Sequence, residues 1–349
     1  MKFIDLFAGI GGFRLGMESA GHECVAFCEI DKFARASYKA IHNTEGEIEL
    51  HDITQVTDDE IRNIGHVDAI CGGFPCQAFS IAGRRRGFED TRGTLFFEIA
   101  RFASILKPKY LFLENVKGLL NHDKGDTFET ILSALDELGY DVEWQVLNSK
   151  DFGVPQNRER VFIIGHLRGE RGRKVFPIGG KDEKSSAERL GINILGNTKN
   201  PNGTAQGTRD IVNDPEGIVG TLTATDYKGP KQVAIPNEIK KIRVREATKQ
   251  GYAEASVGDS VNLSHPNSKT RRGRVGEGIA NTLVTGDSQG VVTSNFRIRK
   301  LTPRECWRLQ GFPDWAFDKA QEVNSNSQLY KQAGNSVTVN VIKEIARYL

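Results

Sequence analysis

"KFIDLFAGIGGFRLGMESA", residues 2–20, joins a short apolar run, a glycine-rich turn and a stretch of helical spacing. An apolar run that breaks into glycines predicts a strand ending in a tight turn, with a helix opening behind it. "CVAFCEI" (residues 24–30) then supplies a second strand and "DKFARASYKAIH" (31–42) a second helix. The alternation continues through "VDAICGG" (67–73), the helix "TLFFEIARFASIL" (94–106) ended by Pro108, and "YLFLENV" (110–116). A further helix over residues 127–139 leads to the strands "YDVEWQVLN" (140–148) and "RVFIIG" (160–165). Strands alternating with helices predict an α/β fold, doubly wound around a mainly parallel sheet. Such sheets bind ligands beyond the carboxyl ends of their strands. Phe7, Glu29, Asp52, Cys76 and Glu114 all fall at or just past such ends, Asp52 after a less distinct element.

At 349 residues the chain has room for a large domain and a smaller one. A hydrophobic share of 38% describes an ordinary globular composition, and no apolar run approaches the length of a membrane span. The apolar start is interrupted by Asp5 and three glycines and lacks a small-residue cleavage site, so a signal peptide is not expected. Five cysteines are an odd number for a disulfide framework. Cys24, Cys28, Cys71 and Cys306 sit in apolar runs and read as small buried side chains, and no Cys/His spacing suits a metal. Cys76 alone sits in turn chemistry, within "GGFPCQAFS" (72–80).

The net charge of +2 is unevenly spread: residues 1–170 carry −8, residues 171–295 carry +6 and residues 296–349 carry +4. A segregated basic part suits a polyanion-binding surface. From about Arg171 glycine, asparagine, threonine and short β-like runs replace helical spacing, which marks a separate strand- and loop-rich domain over residues 171–295. Within it "EGIVGTLTATDYKG" (216–229) matches "EGIANTLVTGDSQG" (277–290) at seven of fourteen positions, read as two similar hairpins. Helical character returns at "LTPRECWRLQGFP", where Thr302 and Glu305 form a capping box around Pro303. A closing helix carries the apolar stripe Val337, Val341, Ile345 and Leu349, expected to pack back on the first domain. Residues 1–170 plus 296–349 then form one domain, with residues 171–295 inserted.

The turn at Ala8, Gly9, Ile10, Gly11 and Gly12 resembles a nucleotide-binding turn, but Arg14 stands where GxGxxG has its third glycine. No pyrophosphate-gripping lysine follows, and Glu29 ends the next strand about twenty residues on, suited to ribose hydroxyls. On these residues S-adenosylmethionine is favoured over NAD, and a turn that only packs helix on strand is the bland reading. At the other end, a strand-end Cys76 can be activated as thiolate by nearby positive charge. Arg158 and Arg160, two apart before a strand, supply two guanidiniums on one face. Desolvation at a strand end can raise the pKa of Glu114 until it donates a proton. Cysteine, glutamate and paired arginines suit a reaction that begins by conjugate addition to an electron-poor ring; a structural Glu114–Arg158 ion pair is the dull alternative.

With "DLFAGIGGFRLG", "GFPCQAFS", "ENV", "QNRERVFIIG", "RKLTPRECWRLQGFP" and "QAGNSV" in this order, the chain resembles the DNA (cytosine-5) methyltransferase family of bacterial and phage type. The resemblance runs end to end outside the middle segment. It implies a Rossmann-like S-adenosylmethionine-dependent methyltransferase domain with an inserted target-recognition domain. It implies that Cys76 attacks C6 of cytosine, that Glu114 acts on N3 and the exocyclic amine, and that Arg158 and Arg160 lie near the base and the backbone. Phe7, Glu29, Ile30, Asp52, Ile53, Pro75, Leu95 and Asn335 match positions that cradle the cofactor, with Val337 beside them. The substrate implied is double-stranded DNA, with the target base flipped out.

"QAFSIAGRRRGFEDTRGT" (77–94) fits a lid with hinges at Gly83, Gly87 and Gly93, and Gln77, Ser80, Arg84, Arg85 and Arg86 are its candidate DNA contacts. Thr282 and Leu283, shortly before "RKLTPRE", resemble the family's target-recognition pair, and Thr221 and Leu222 are the weaker candidate; in both pairs the leucine reads as core packing and the threonine as the residue that approaches the DNA backbone or the target base. Three rivals stand beside this reading: an RNA cytosine-C5 methyltransferase, a catalytically silent DNA-binding regulator, and a thiol oxidoreductase, which would want a second cysteine in reach. A cytoplasmic monomer, associated with the nucleoid through DNA and acting apart from any cognate restriction endonuclease, is the expected form.

Overall fold

A computed structural model describes residues 1–75, 95–170, 172–179, 241–264, 268, 270–283, 289–293 and 301–349. It adds the backbone of residues 194–197, 211–213, 232–233 and 298–300. Cys76, Gln77, Ser80, Arg84, Arg85 and Arg86, together with Gly83, Gly87, Gly93, Thr221 and Leu222, lie outside the described residues, as does the repeat over 216–229.

The seven-stranded sheet alternates strand and helix in the predicted order. The elements are β1 (Lys2–Leu6), α1 (Gly12–Ser19), β2 (Glu23–Cys28), α2 (Lys32–Ile41), β3 (Ile48–Leu50), α3 (Asp58–Asn63) and β4 (Ala69–Gly73). There follow α4 (Leu95–Leu106), β5 (Tyr110–Val116), α5 (Asp126–Glu137), β6 (Tyr140–Asn148) and β7 (Glu159–Leu167). The strand order is β3-β2-β1-β4-β5-β7-β6. Every pairing from β3 to β5 is parallel, while β7 runs antiparallel to both β5 and β6. The chain moves outward from β1 to β3, then returns to β4 on the other side. This reversal opens a crevice between the ends of β1 and β4, the usual ligand position in such sheets.

Side-chain alternation explains why both faces are covered. Ile4, Leu6, Ile70, Leu111, Leu113 and Ile163 face one way, against Ile61 of α3, Phe96 and Ile99 of α4 and Ile131 and Leu135 of α5. Phe3, Cys71, Phe112, Phe162 and Ile164 face the other, against Phe13 and Met17 of α1. The same cluster takes in Val337, Val341 and Ile345 around the closing helix, with Leu349 packed on it. A Cβ on Gly16 would lie 2.5 Å from Ile342 Cγ2, so a glycine there lets α1 and the last helix touch.

By contacts the chain divides into a unit of Met1–Gly180 with Ile242–Leu349 and a unit of Lys181–Lys241. The smaller unit contains a three-stranded sheet of β8 (Ile194–Asn197), β9 (Ile211–Asn213) and β10 (Gln232–Val233). The larger continues with the hairpin β11 (Ile242–Arg245) and β12 (Tyr252–Ala255). Next come β13 (Ser260–Asn262), β14 (Val275–Gly276), β15 (Gln289–Val292) and β16 (Ile298–Lys300), in the order β14-β13-β15-β16. Four helices close the chain: α6 (Pro303–Leu309), α7 (Asp314–Val323), α8 (Asn326–Asn335) and α9 (Val339–Ala346). Thr302 and Glu305 cap α6 reciprocally around Pro303, as the sequence predicts. Cys24, Cys28, Cys71 and Cys306 are all buried free thiols.

Candidate active site at the carboxyl ends of the strands

The cofactor half is made largely by main chain. Phe7 follows β1 with φ 55°, and Gly9 and Gly11 also have positive φ, at 56° and 83°. The turn is closed by Gly11 N–H donating to Ala8 O at 2.8 Å, and tied to β2 by Ala8 N–H donating to Cys28 O at 3.0 Å. Two contacts hold the carboxylate of Glu29: Gly9 N–H donates to Oε2 at 2.8 Å and Asp31 N–H to Oε1 at 2.7 Å. Arg35 steadies the same corner by donating to the carbonyls of Glu29 at 2.7 Å and Ile30 at 2.9 Å.

This corner suits a nucleoside. A Cβ on Gly9 would meet nothing within 4 Å, which leaves open space over the turn. Ile30 is 67% exposed directly beside the half-buried Glu29, an apolar surface next to a fixed acceptor. Asp52 follows β3 and accepts from Thr54 N–H at 3.0 Å, and Ile53 behind it is buried. Pro75 and Asn335 are exposed, Leu95 is half-buried and Val337 is buried. Gly11 and Gly12 answer to packing: an added Cβ would strike His42 Nε2 at 2.0 Å or Val337 Cγ2 at 2.8 Å. The turn therefore both opens a space and lets elements approach.

Arg14 occupies the third-glycine position for a structural reason. It is buried and forked onto Glu47, with Nη1 at 2.7 Å from Oε2 and Nη2 at 2.6 Å from Oε1, and it also pairs with Glu18 at 2.7 Å. Gly16 supplies the close helix packing instead. Under the turn, burial pushes the carboxyl of Asp5 well above its ordinary range, against the opposing pull of Arg14.

The reacting half is made by side chains. Glu114 lies in β5 beside β4, its register partner there being Gly73. On its other side Glu114 pairs with Phe162 of β7, so Arg160 is its diagonal neighbour two residues away on the same face. Arg160 Nε lies 3.0 Å from Glu114 Oε1. Burial raises the proton affinity of Glu114, and Arg160 and then Arg158 oppose it by charge. Asn115 Nδ2 donates to Phe74 O at 2.8 Å and fixes the chain just before Pro75. In the sequence Asn115 stands only as the middle of "ENV"; an amide side chain at the end of an apolar strand run was the available signal.

The two arginines diverge. Arg158 is buried and donates from Nη1 to Leu283 O at 3.2 Å, and from Nη2 to Gly334 O at 3.1 Å and Ser336 O at 2.8 Å. Burial, and then the charge of Arg160, lower its proton affinity. Glu114 is thus ion-paired with Arg160, while Arg158 gathers three backbone carbonyls and acts on Glu114 at longer range. Thr282 Oγ1 donates to Asn157 O at 2.7 Å, and Leu283 is buried with Trp307 and Leu309. Among the described residues no group of three His, Cys, Asp or Glu could hold a metal ion, and no helix is long and apolar enough to cross a membrane.

An open sheet with a glycine turn after β1, an acid after β2 and a buried acid in β5 is the plan of a Rossmann-like methyltransferase. The chain belongs to the C-5 cytosine-specific DNA methylase family, whose description matches residues 1–349. It is 38% identical over 351 residues to the type II methyltransferase M.HhaI of Haemophilus parahaemolyticus, covering 99% of this chain and 93% of that protein. It is 34% identical over 431 residues to the orphan methyltransferase M.SPRI of Bacillus phage SPR, covering 100% and 97%. In fold it resembles the Dnmt2 methyltransferase of S. pombe, with a TM-score of 0.56 at 18% identity over 99% of this chain and 96% of that one.

Proposed function

We propose that this protein transfers the methyl group of S-adenosylmethionine to C5 of a cytosine flipped out of duplex DNA, through a covalent Cys76–C6 intermediate. One observation carries the reading: a buried Glu114 of raised proton affinity, braced by Arg160, stands opposite Gly73, and Cys76 follows Gly73 by three residues. Carbon C5 of cytosine is too weak a nucleophile until something adds at C6. The Cys76 thiolate forms a bond to C6 while Glu114 delivers a proton to N3, which turns C5 into an enamine carbon. When bound, S-adenosylmethionine supplies a methyl group on a positively charged sulfur. Once C5 carries that methyl group, water takes the C5 proton, the 5,6 double bond re-forms as the C6–S bond breaks and expels the Cys76 thiolate, and N3 returns its proton to Glu114. Arg160 holds Glu114 in place, and Arg158 holds the backbone around it.

Glu29 is suited to accept from ribose hydroxyls, and Ile30 to cover an apolar ring. Phe7, the Ala8–Gly12 turn, Asp52, Ile53, Pro75, Leu95, Asn335 and Val337 complete the cofactor corner. Gln77, Ser80, Arg84, Arg85 and Arg86 are assigned to DNA contact and Thr282 to target recognition, with Leu283 packed in the core behind it. Residues 171–295 select the sequence, a division supported by their basic excess and by the absence of reactive motifs in them.

The test is tritium transfer from labelled S-adenosylmethionine to duplex DNA and to tRNA, with bisulfite sequencing of the methylated DNA. Label confined to tRNA, or found on adenine, would refute the assignment. Exchanging residues 171–295 for the corresponding segment of a relative should move the methylated sequence. An active hybrid that keeps the original site would break the division of labour.

A further inference from the structure

Gln156 is fully buried two residues before Arg158 and has no role in the chemistry described above. Its Oε1 accepts from Leu283 N–H at 3.1 Å, and its Nε2 donates to Leu309 O at 2.8 Å. The main chain beside it runs along the same segment: Ala280 N–H donates to Pro155 O at 2.7 Å and Asn157 N–H donates to Ala280 O at 2.9 Å. Gln310, also fully buried, extends the network by donating from Nε2 to Ala333 O at 2.7 Å and accepting from Thr338 Oγ1 at 3.0 Å.

Both ends of the Gln156 amide are therefore used, one on the 280–283 segment and one on the end of α6. At neutral pH only an amide offers a donor and an acceptor in this shape. Unmade bonds here would leave buried polar groups without partners, so an amide with both ends satisfied specifies one arrangement. The arrangement has a consequence for chemistry. Leu283 is bound by Gln156 through its N–H and by Arg158 through its carbonyl, and Arg158 acts by charge on Glu114. We propose that Gln156 is a positioning residue that locks the 280–283 segment in register with Arg158 and the Glu114–Arg160 pair, so that contact with the correct sequence is transmitted to the reacting end. The proposal rests on the assignment of Thr282, beside Leu283, to recognition and of Glu114 to catalysis.

The full chain with Gln156→Glu or Gln156→Met provides the test. As an anion, glutamate keeps the acceptor for Leu283 N–H but has nothing to donate to Leu309 O; once protonated it does both. Relative to wild type at each pH, Gln156→Glu should lose about tenfold in kcat/KM at pH 8, the worth of one ordinary buried hydrogen bond, and recover most of it by pH 6. Gln156→Met should lose at least as much at both pH values. In each impaired state, discrimination between the methylated site and a one-mismatch site should narrow by about threefold or more, with cofactor Kd unchanged. Exchange of the Leu283 amide, read by hydrogen–deuterium exchange without reference to turnover, should rise about tenfold in Gln156→Met. The proposal is overturned if Gln156→Glu is impaired at pH 8 and its ratio to wild type does not rise as the pH is lowered. It is equally overturned if both variants lose activity only as their folded fraction falls, with discrimination and Leu283 exchange unchanged. A wild-type protein that methylates no duplex DNA instead overturns the functional assignment beneath it.

Discussion

Glu29 and Glu114 are the same residue type near the ends of two strands of one sheet, with β1 and β4 between them, and the fold treats them in opposite ways. Glu29 is half-buried, and each of its oxygens accepts from a backbone N–H. Its position is set by the turn, and it is presented as an acceptor. Glu114 is buried, its neighbours are side chains, and burial raises its hold on a proton. In the proposed mechanism backbone donors make a recognition group out of one carboxylate, while desolvation, opposed by a guanidinium, makes a proton donor out of the other. The difference predicts that damage to the reacting half appears in kcat and damage to the cofactor half in binding.

The largest effect is expected from Cys76→Ser, which should remove methyl transfer while DNA and cofactor binding persist, measured by tritium transfer and by titration. Duplex containing 5-fluorocytosine should trap the wild-type protein with the link on Cys76, since fluorine cannot leave as a cation. An adduct mapped to any other cysteine would sink the covalent assignment.

Next comes Glu114→Gln, expected to lower kcat by about 10²–10⁴-fold with little change in cofactor Kd. The wild-type rate should fall on the alkaline side as Glu114 loses its proton. Stability carries the same sign. The folded protein holds this proton at pH values where the unfolded chain has lost it. The contribution of Glu114 is therefore complete below the ordinary carboxylate pKa and is lost as pH rises through the raised one. Urea midpoints across that range should slope less in Glu114→Gln than in wild type; parallel slopes would show that burial does not hold the proton.

Glu29→Gln should do the reverse, weakening S-adenosylmethionine by about 10–100-fold in calorimetric titration with kcat at saturation nearly intact. A glutamine can accept from only one of the Gly9 and Asp31 N–H groups through its carbonyl, and it lacks the charge. A kcat loss as large as that of Glu114→Gln would erase the contrast between the two halves. The smallest effect is reserved for the frame they share. Gly16→Ala drives a methyl into Ile342 and should cost about 1–3 kcal/mol in denaturant unfolding, with kcat/KM of the folded protein unchanged.

Much of the sheet was legible because its signals are local. Apolar runs of strand length, the glycine turn, the Thr302–Glu305 capping box and the buried cysteines each follow from residues a few positions apart. β3 was indistinct because it has only three residues, of which Leu50 alone is buried, and carries no long apolar run. Helices α7 and α8 passed unread between a clear capping box and a clear closing stripe, since their mixed polar faces dilute the spacing. Asn115, Gln156 and Arg35 were missed as site residues because each acts on a backbone carbonyl or N–H that sequence does not display.

By itself the sequence determined where the strands run and that Phe7, Glu29 and Glu114 fall at or near their ends, because residue type and periodicity are properties of the chain alone. Only the tertiary structure decided how those residues are paired. The sequence offered Arg158 and Arg160 as equals. Folding gives Glu114 to Arg160, which sits diagonally across an antiparallel pair of strands, and turns Arg158 to the carbonyls of residues 283, 334 and 336. Strand register and the return of a segment more than a hundred residues away set that division, and neither is encoded in the spacing of two arginines.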